Sequence, residues 1–203
     1  MASSVFSPYP VPDAARTIPF RSPLPGRFVN PSDLTMVQPD TNQPLDLDAE
    51  TLRIAVVTSA YHAEVTDALR DAAAAAFEAA GGLPSRLSMI AAPGAFELTA
   101  ICRGLVVDRG SRTPDAVVAL GCVITGETNH DRYICQSVAQ GLTDITVQSG
   151  IPIAFGLLTC QSMEQARARA GGDHGNKGRE AMHAAIRTAH AIRSLDAGGV
   201  PAP

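Results

Sequence analysis

Short apolar runs alternate along this chain with longer amphipathic stretches, and that alternation predicts strands followed by helices. Leu52 to Thr58, Leu87 to Ala92, Ala116 to Ile124 and Ile151 to Leu158 are runs of strand length. Between them, Glu64 to Ala80, Ala95 to Asp108 and Asn129 to Gln148 carry apolar residues at helical spacing. Gly81-Gly82, Gly110 and Gly150 stand where those patterns stop. Beyond the fourth run, Ser162 to Ala170 and Gly175 to Ser194 read as two helices parted at Gly171-Gly172. Strands alternating with helices imply right-handed crossovers and a parallel sheet covered on both faces. The predicted fold is α/β: a three-layer sandwich with a four-stranded parallel sheet flanked by helices, in a flavodoxin-like arrangement.

The pattern is missing before about Glu50, where nine prolines from Pro8 to Pro44 interrupt any periodic structure. Such a segment buries too little apolar surface to offset its ordering entropy. The expected organisation is an arm over 1–50, mobile or extended, a folded domain over 51–195 and a flexible tail over 196–203. Packing of the arm on a neighbouring subunit and a targeting role both stay open. Asp13 and the prolines fit an amphipathic targeting helix poorly.

Composition narrows the classes. Hydrophobic residues make up 45% of the chain and aromatic residues 4%, with no Trp, so aliphatic side chains carry the packing. That suits a buried parallel sheet. The net charge of -4 comes without a basic stripe, which argues against nucleic acid as a partner. No apolar run approaches the ~20 residues of a membrane-spanning helix, so no membrane association is expected. Cys102, Cys122, Cys135 and Cys160 are widely spread, which points to a reduced, cytoplasmic compartment. Cys122, His130 and Cys135 match no standard zinc spacing, so no metal is expected.

Two segments join a strand to a helix and carry chemistry. In Pro93-Gly94-Ala95-Phe96-Glu97, Gly94 admits close approach to the backbone and the first helical turn offers free N–H groups. Pro93 and Glu97 are also ordinary residues of a helix start. In Gly126-Glu127-Thr128-Asn129-His130, Thr128 or Asn129 can cap the following helix, whose positive end favours an anion. His130 in that first turn is a candidate for proton transfer, imidazole being a side chain suited to acid–base work. A histidine at a helix start is also often only structural. Arg167 and Arg169, two apart, point to different helix faces, so one of them can face a site. Arg169 could hold a phosphate bidentately. Tyr61, at the end of the first strand, could stack on a flat ring or simply cover the core edge.

Taken in series, these motifs resemble the lumazine synthase family over about Leu52 to Ser194. The series is an aromatic after the first strand, Pro-Gly-Ala-Phe-Glu, Gly-Glu-Thr-x-His, Phe-Gly in the fourth strand, and Glu-Gln-Ala through Arg-Ala-Gly to Gly-Asn-Lys-Gly. The resemblance implies condensation of 5-amino-6-(D-ribitylamino)uracil with 3,4-dihydroxy-2-butanone 4-phosphate. The products would be 6,7-dimethyl-8-ribityllumazine, phosphate and water, formed without a redox or metal cofactor. It implies that Tyr61 stacks on the pyrimidine and that Ala95, Phe96 and Glu97 hold the ribityl chain. Val123 and Ile124 would contact the ring, with Phe155 near the heterocycle. Glu127, Thr128 and Arg169 would bind phosphate, His130 would transfer protons, and Lys177 would lie close to the site. It also implies homo-oligomers, as pentamers or sixty-subunit shells with sites between subunits, and association with riboflavin synthase. Ala60, His62, Thr125 and Ser137 depart from the family's usual arginine, asparagine, arginine and glutamate.

Overall fold

The computed structural model describes residues 47–107 and 110–196. The expectations for the proline-rich arm up to residue 46 and for the tail from 197 fall outside the described residues. The elements below all belong to the unit Pro44–Pro203.

Four strands form one parallel sheet: β1 (Ile54–Ser59), β2 (Leu87–Ala92), β3 (Ala116–Ile124) and β4 (Ile153–Cys160). Their spatial order is β2-β1-β3-β4. β1 is buried along its whole length and β3 up to its last residue, which is why β3 and the first four residues of β1 read as apolar runs. The connecting helices are α1 (Ala63–Ala79), α2 (Leu98–Val106) and α3 (His130–Ser149). After β4 come the short α4 (Met163–Ala168), a two-stranded antiparallel hairpin of β5 (Ala170–Gly172) and β6 (Gly175–Asn176), and α5 (Lys177–Asp196).

Alternation along the strands divides the core. Ile54, Val56, Val118 and Leu120 point to one face, with Leu69, Phe77, Met182 and Ile186 from α1 and α5. Ala55, Val57, Val117 and Ala119 point to the other, with Leu98, Cys102, Val138 and Leu142 from α2 and α3. The result is the three-layer, flavodoxin-like sandwich that the alternation predicts. Ala49 and Leu52, ahead of β1, are fully buried in the first of these clusters.

Three expectations are corrected. The second helix begins at Leu98, not Ala95, because Pro93 to Glu97 bends before the helical ladder starts. Neither Thr128 nor Asn129 caps α3 with its side chain; Asn129 occupies the cap position without such a bond. The segment between the last two helices is a hairpin rather than a glycine break, and the final helix starts at Lys177, not Gly175. Gly171, at the irregularity within β5, and Gly175, which opens β6, have φ of 125° and 72°, a backbone region that favours glycine.

Candidate active site

The strand order reverses direction between β1 and β3. The chain steps outward from β1 to β2, then crosses back to β3 on the other side. Open α/β sheets form a crevice at the carboxyl ends of the strands at such a point. A cleft of about 510 Å³ lies there. Tyr61 and His62 enter it from the end of β1, Gly94 to Glu97 from the end of β2, and Cys122 to Ile124 from β3. Gly126, Thr128, His130, Asp131 and Ile134 close the side nearest α3.

Backbone anchors hold these side chains in place. The Ala60 N–H donates to the Ala92 carbonyl at 2.8 Å, and the Tyr61 N–H donates to the buried Ser59 hydroxyl at 3.3 Å. His62 turns the chain into α1 with φ 60° and meets the Tyr61 ring edge-on at 4.7 Å. The Glu97 carboxylate folds back over Gly94: a Cβ at Gly94 would lie 2.8 Å from its Oε2. The Thr125 N–H donates to the Cys160 carbonyl at 2.9 Å, tying the turn after β3 to β4. The Thr125 hydroxyl donates to Asp131 at 3.0 Å. Burial first, and then the neighbouring Cys160 and Cys135, push the Cys122 thiol up to about 12, which leaves it protonated and inert at neutral pH.

A second cleft, about 410 Å³, runs along the free edge of β4 against α5. Phe155, Thr159, Arg169, Lys177 and Glu180 line it. The hairpin is what brings Arg169 beside Lys177, whose N–H donates to the Arg169 carbonyl at 2.9 Å. The Lys177 ammonium pairs with Glu180 at 2.6 Å. Arg167 points elsewhere and forks onto Glu64 at 2.7 and 2.9 Å, an exposed pair that holds the Glu64 carboxyl below its usual range.

The candidate residues thus fall into two groups. Tyr61, Ala95, Phe96, Glu97, Val123, Ile124, Thr128 and His130 share the first cleft. Phe155, Arg169 and Lys177 share the second. Glu127 lines neither and is exposed. Asp131 and Ile134 in the first cleft and Glu180 in the second carry no signal in the sequence that sets them apart from ordinary helix residues. Tyr61, Phe96 and Phe155 are 67%, 59% and 48% exposed, so one chain by itself leaves its cleft aromatics uncovered. Among the described residues no cluster of three His, Cys, Asp or Glu is placed to hold a metal ion.

The first cleft offers a stacking surface, a folded-back carboxylate, a hydroxyl and an imidazole at a helix start. Comparison with known proteins identifies the family. Residues 51–193 match the family model of 6,7-dimethyl-8-ribityllumazine synthase. A 6,7-dimethyl-8-ribityllumazine synthase of Frankia casuarinae is 45% identical over 150 residues, 73% of this chain and 90% of the relative. That of Streptomyces avermitilis is 43% identical over 146 residues, 71% of this chain and 87% of the relative. That of Parabacteroides distasonis is 39% identical over 140 residues, 69% of this chain and 86% of the relative. With its strand order, its crevice and this match over residues 51–193, the chain belongs to the 6,7-dimethyl-8-ribityllumazine synthase family.

Proposed function

We propose that this chain catalyses the condensation of 5-amino-6-(D-ribitylamino)uracil with 3,4-dihydroxy-2-butanone 4-phosphate in riboflavin biosynthesis, releasing 6,7-dimethyl-8-ribityllumazine, phosphate and water. The supporting observation is the cleft at the switch point, which gathers Tyr61, the 95–97 backbone, Glu97, Thr128 and His130. Tyr61 stacks on the pyrimidine, while Val123 and Ile124 floor the ring. Ala95, Phe96 and Glu97 take the ribityl hydroxyls through backbone groups and the carboxylate. The turn at Glu127 and Thr128 offers N–H groups and a hydroxyl to the phosphate at the positive end of α3. Because the Glu127 side chain lies outside the cleft, its part in this reading is played by its backbone.

The chemistry asks for little more. The amine attacks the ketone, a Schiff base forms, phosphate leaves and the ring closes. Each step moves a proton, which suits an imidazole beside the phosphate seat. Holding both substrates in one crevice removes much of the entropic barrier. Arg169 neutralises phosphate charge as the group departs, Phe155 covers the heterocycle, and Lys177 stands near both. These three lie on the other cleft of the same chain, so the reading requires the second cleft of one subunit to cover the first cleft of the next. A homo-oligomer, pentameric or built up into a shell, meets that requirement. No helix of the described residues is long and apolar enough to cross a membrane, and four free cysteines fit a cytoplasmic location.

The test is an absorbance assay of purified protein with both substrates, following the lumazine chromophore. Acceleration over the spontaneous reaction, with loss in Arg169→Ala concentrated in the KM of the phosphate-bearing substrate, is the expected result. Tight binding of a ribityl pyrimidine without acceleration would overturn the catalytic reading.

A further inference from the structure

The turn from β3 to α3 is closed by a bond that links two residues six apart, Thr125 and Asp131. Thr125 is doubly anchored: its N–H donates to the Cys160 carbonyl at 2.9 Å and its hydroxyl donates to Asp131 Oδ2 at 3.0 Å. Asp131 is the second residue of α3 and lines the first cleft together with Gly126, Thr128 and His130.

A carboxylate in the first turn of a helix has an obvious alternative use. The dipole favours it there, and it can accept from the free N–H groups of that turn. A carboxylate that did so would occupy the donors that an incoming anion needs, and it would add like charge beside that anion. Asn129, at the cap position, would compete in the same way through its side chain. Neither competes in this structure. Asn129 makes no side-chain cap bond, and Asp131 accepts from Thr125 instead. Asp131 is thereby held off the amino end of α3.

We propose that Thr125 and Asp131 form a positioning pair that pins the Asp131 carboxylate away from the α3 amides and keeps the Gly126–His130 turn open for phosphate. This rests on the reading of that turn as the phosphate seat. The pair acts through the turn and touches no reacting atom. The hydroxyl of Thr125 is the specific requirement, so serine serves at this position and the isosteric valine does not.

The experiment uses the full chain as wild type, Thr125→Val, Thr125→Ser, Asp131→Asn and the double variant Thr125→Val/Asp131→Asn. Two quantities are read: the KM of each substrate, and the affinity for inorganic phosphate by ³¹P NMR titration. Thr125→Val is expected to weaken both inorganic phosphate and the phosphate-bearing substrate about five- to tenfold, the scale of losing one restraint on a neighbouring charge. The pyrimidine KM stays unchanged. Thr125→Ser behaves as wild type. In the double variant the freed side chain carries no charge, so the like-charge repulsion is gone and phosphate affinity rises back toward wild type. Equal phosphate affinity in wild type and Thr125→Val overturns the pair. So does a loss that Asp131→Asn fails to reverse, because that loss reports damaged structure. The two readings separate cleanly. Lumazine formation by wild type with no effect of Thr125→Val removes the pair alone. Phosphate binding with the expected variant pattern, but no lumazine, removes the reaction and keeps the pair.

Discussion

His62 shows how a single backbone angle explains a side chain. It is the one non-glycine residue with positive φ among the described residues, and it stands where the family usually has asparagine. Both residue types tolerate the left-handed region better than most. His62→Asn should therefore fold as well as wild type, while His62→Val should lose about 1–2 kcal/mol in urea denaturation, the cost of forcing a branched side chain into that region. An equal loss in both variants would assign the effect to the imidazole instead. A second histidine gives a pH signature. Burial, and then the nearby Arg179 charge, lower the His183 imidazole from its ordinary value near 6.5, with Arg187 acting in the same direction and Glu180 opposing. The unfolded chain then binds the proton more readily than the fold does. Stability from this group is complete above about pH 6.5 and is lost as the pH falls toward the depressed folded value. Thermal melts from pH 7.5 down to 5.5 should show a smaller drop in His183→Gln than in wild type. None of this could be read from residue types, because αL geometry and desolvation exist only once the neighbours are in place.

At the scale of elements, the start of α5 carries more than its sequence suggests. Asn176-Lys177-Gly178 reads as a plain helix start. In the fold, the Asn176 side chain accepts from the Gly178 and Arg179 N–H groups at 2.8 and 3.3 Å and donates to the Ala68 carbonyl on α1 at 3.2 Å. Gly178 lets the two helices touch: a Cβ there would fall 1.9 Å from the Leu69 carbonyl oxygen. Gly178→Ala should cost about 1–3 kcal/mol through forced separation of α1 and α5. Asn176→Ala should cost about 1–2 kcal/mol through lost capping of α5 and the lost bond to α1. Chemical denaturation measures both, and neutral behaviour of Gly178→Ala would mean that α5 shifts freely along α1. The strands and long helices were legible because their burial is continuous and periodic. β2 and β3 match the predicted bounds residue for residue. The β5–β6 hairpin was not legible, since five glycine-rich residues and a turn carry no alternation. The start of α2 departs from its residue types: Ala95 and Phe96 suit a helix, yet they bend into the cleft ahead of it.

For the whole molecule, the decisive fact is that the candidate residues lie on two clefts of one chain. If the subunits complete each other's sites, His130→Ala and Arg169→Ala damage opposite halves. Co-assembled from equal amounts and assayed at a limiting concentration of the phosphate-bearing substrate, the two impaired variants should recover about a quarter of wild-type turnover, because random neighbours pair two intact halves at that frequency. Recovery of nothing would place both residues in a site within one subunit. The beginning of the folded unit is also testable. Leu47 packs against the core, Ala49 and Leu52 are fully buried, and the Ala49 N–H donates to the Ala80 carbonyl at 2.7 Å. Removal of the residues before Leu47 should leave the melting temperature within a few degrees of wild type. Removal through Leu52 should lower it sharply, by two buried side chains and a backbone bond.

The sequence by itself determined the α/β class, the order of strands and helices, and the motifs that mark the family. Those depend on apolar periodicity and on residue types at strand ends, which are local properties of the chain. Only the tertiary structure decided which motifs meet. Strand order places the ends of β1, β2 and β3 around one crevice, while the hairpin carries Arg169 and Lys177 to the far edge of β4. It also decided that Asp131 answers to Thr125 rather than to its own helix. The meeting of strand ends and hairpin is set by the packing of elements distant in sequence, and the short Thr125–Asp131 bond by the backbone of the turn between them; residue types alone encode neither.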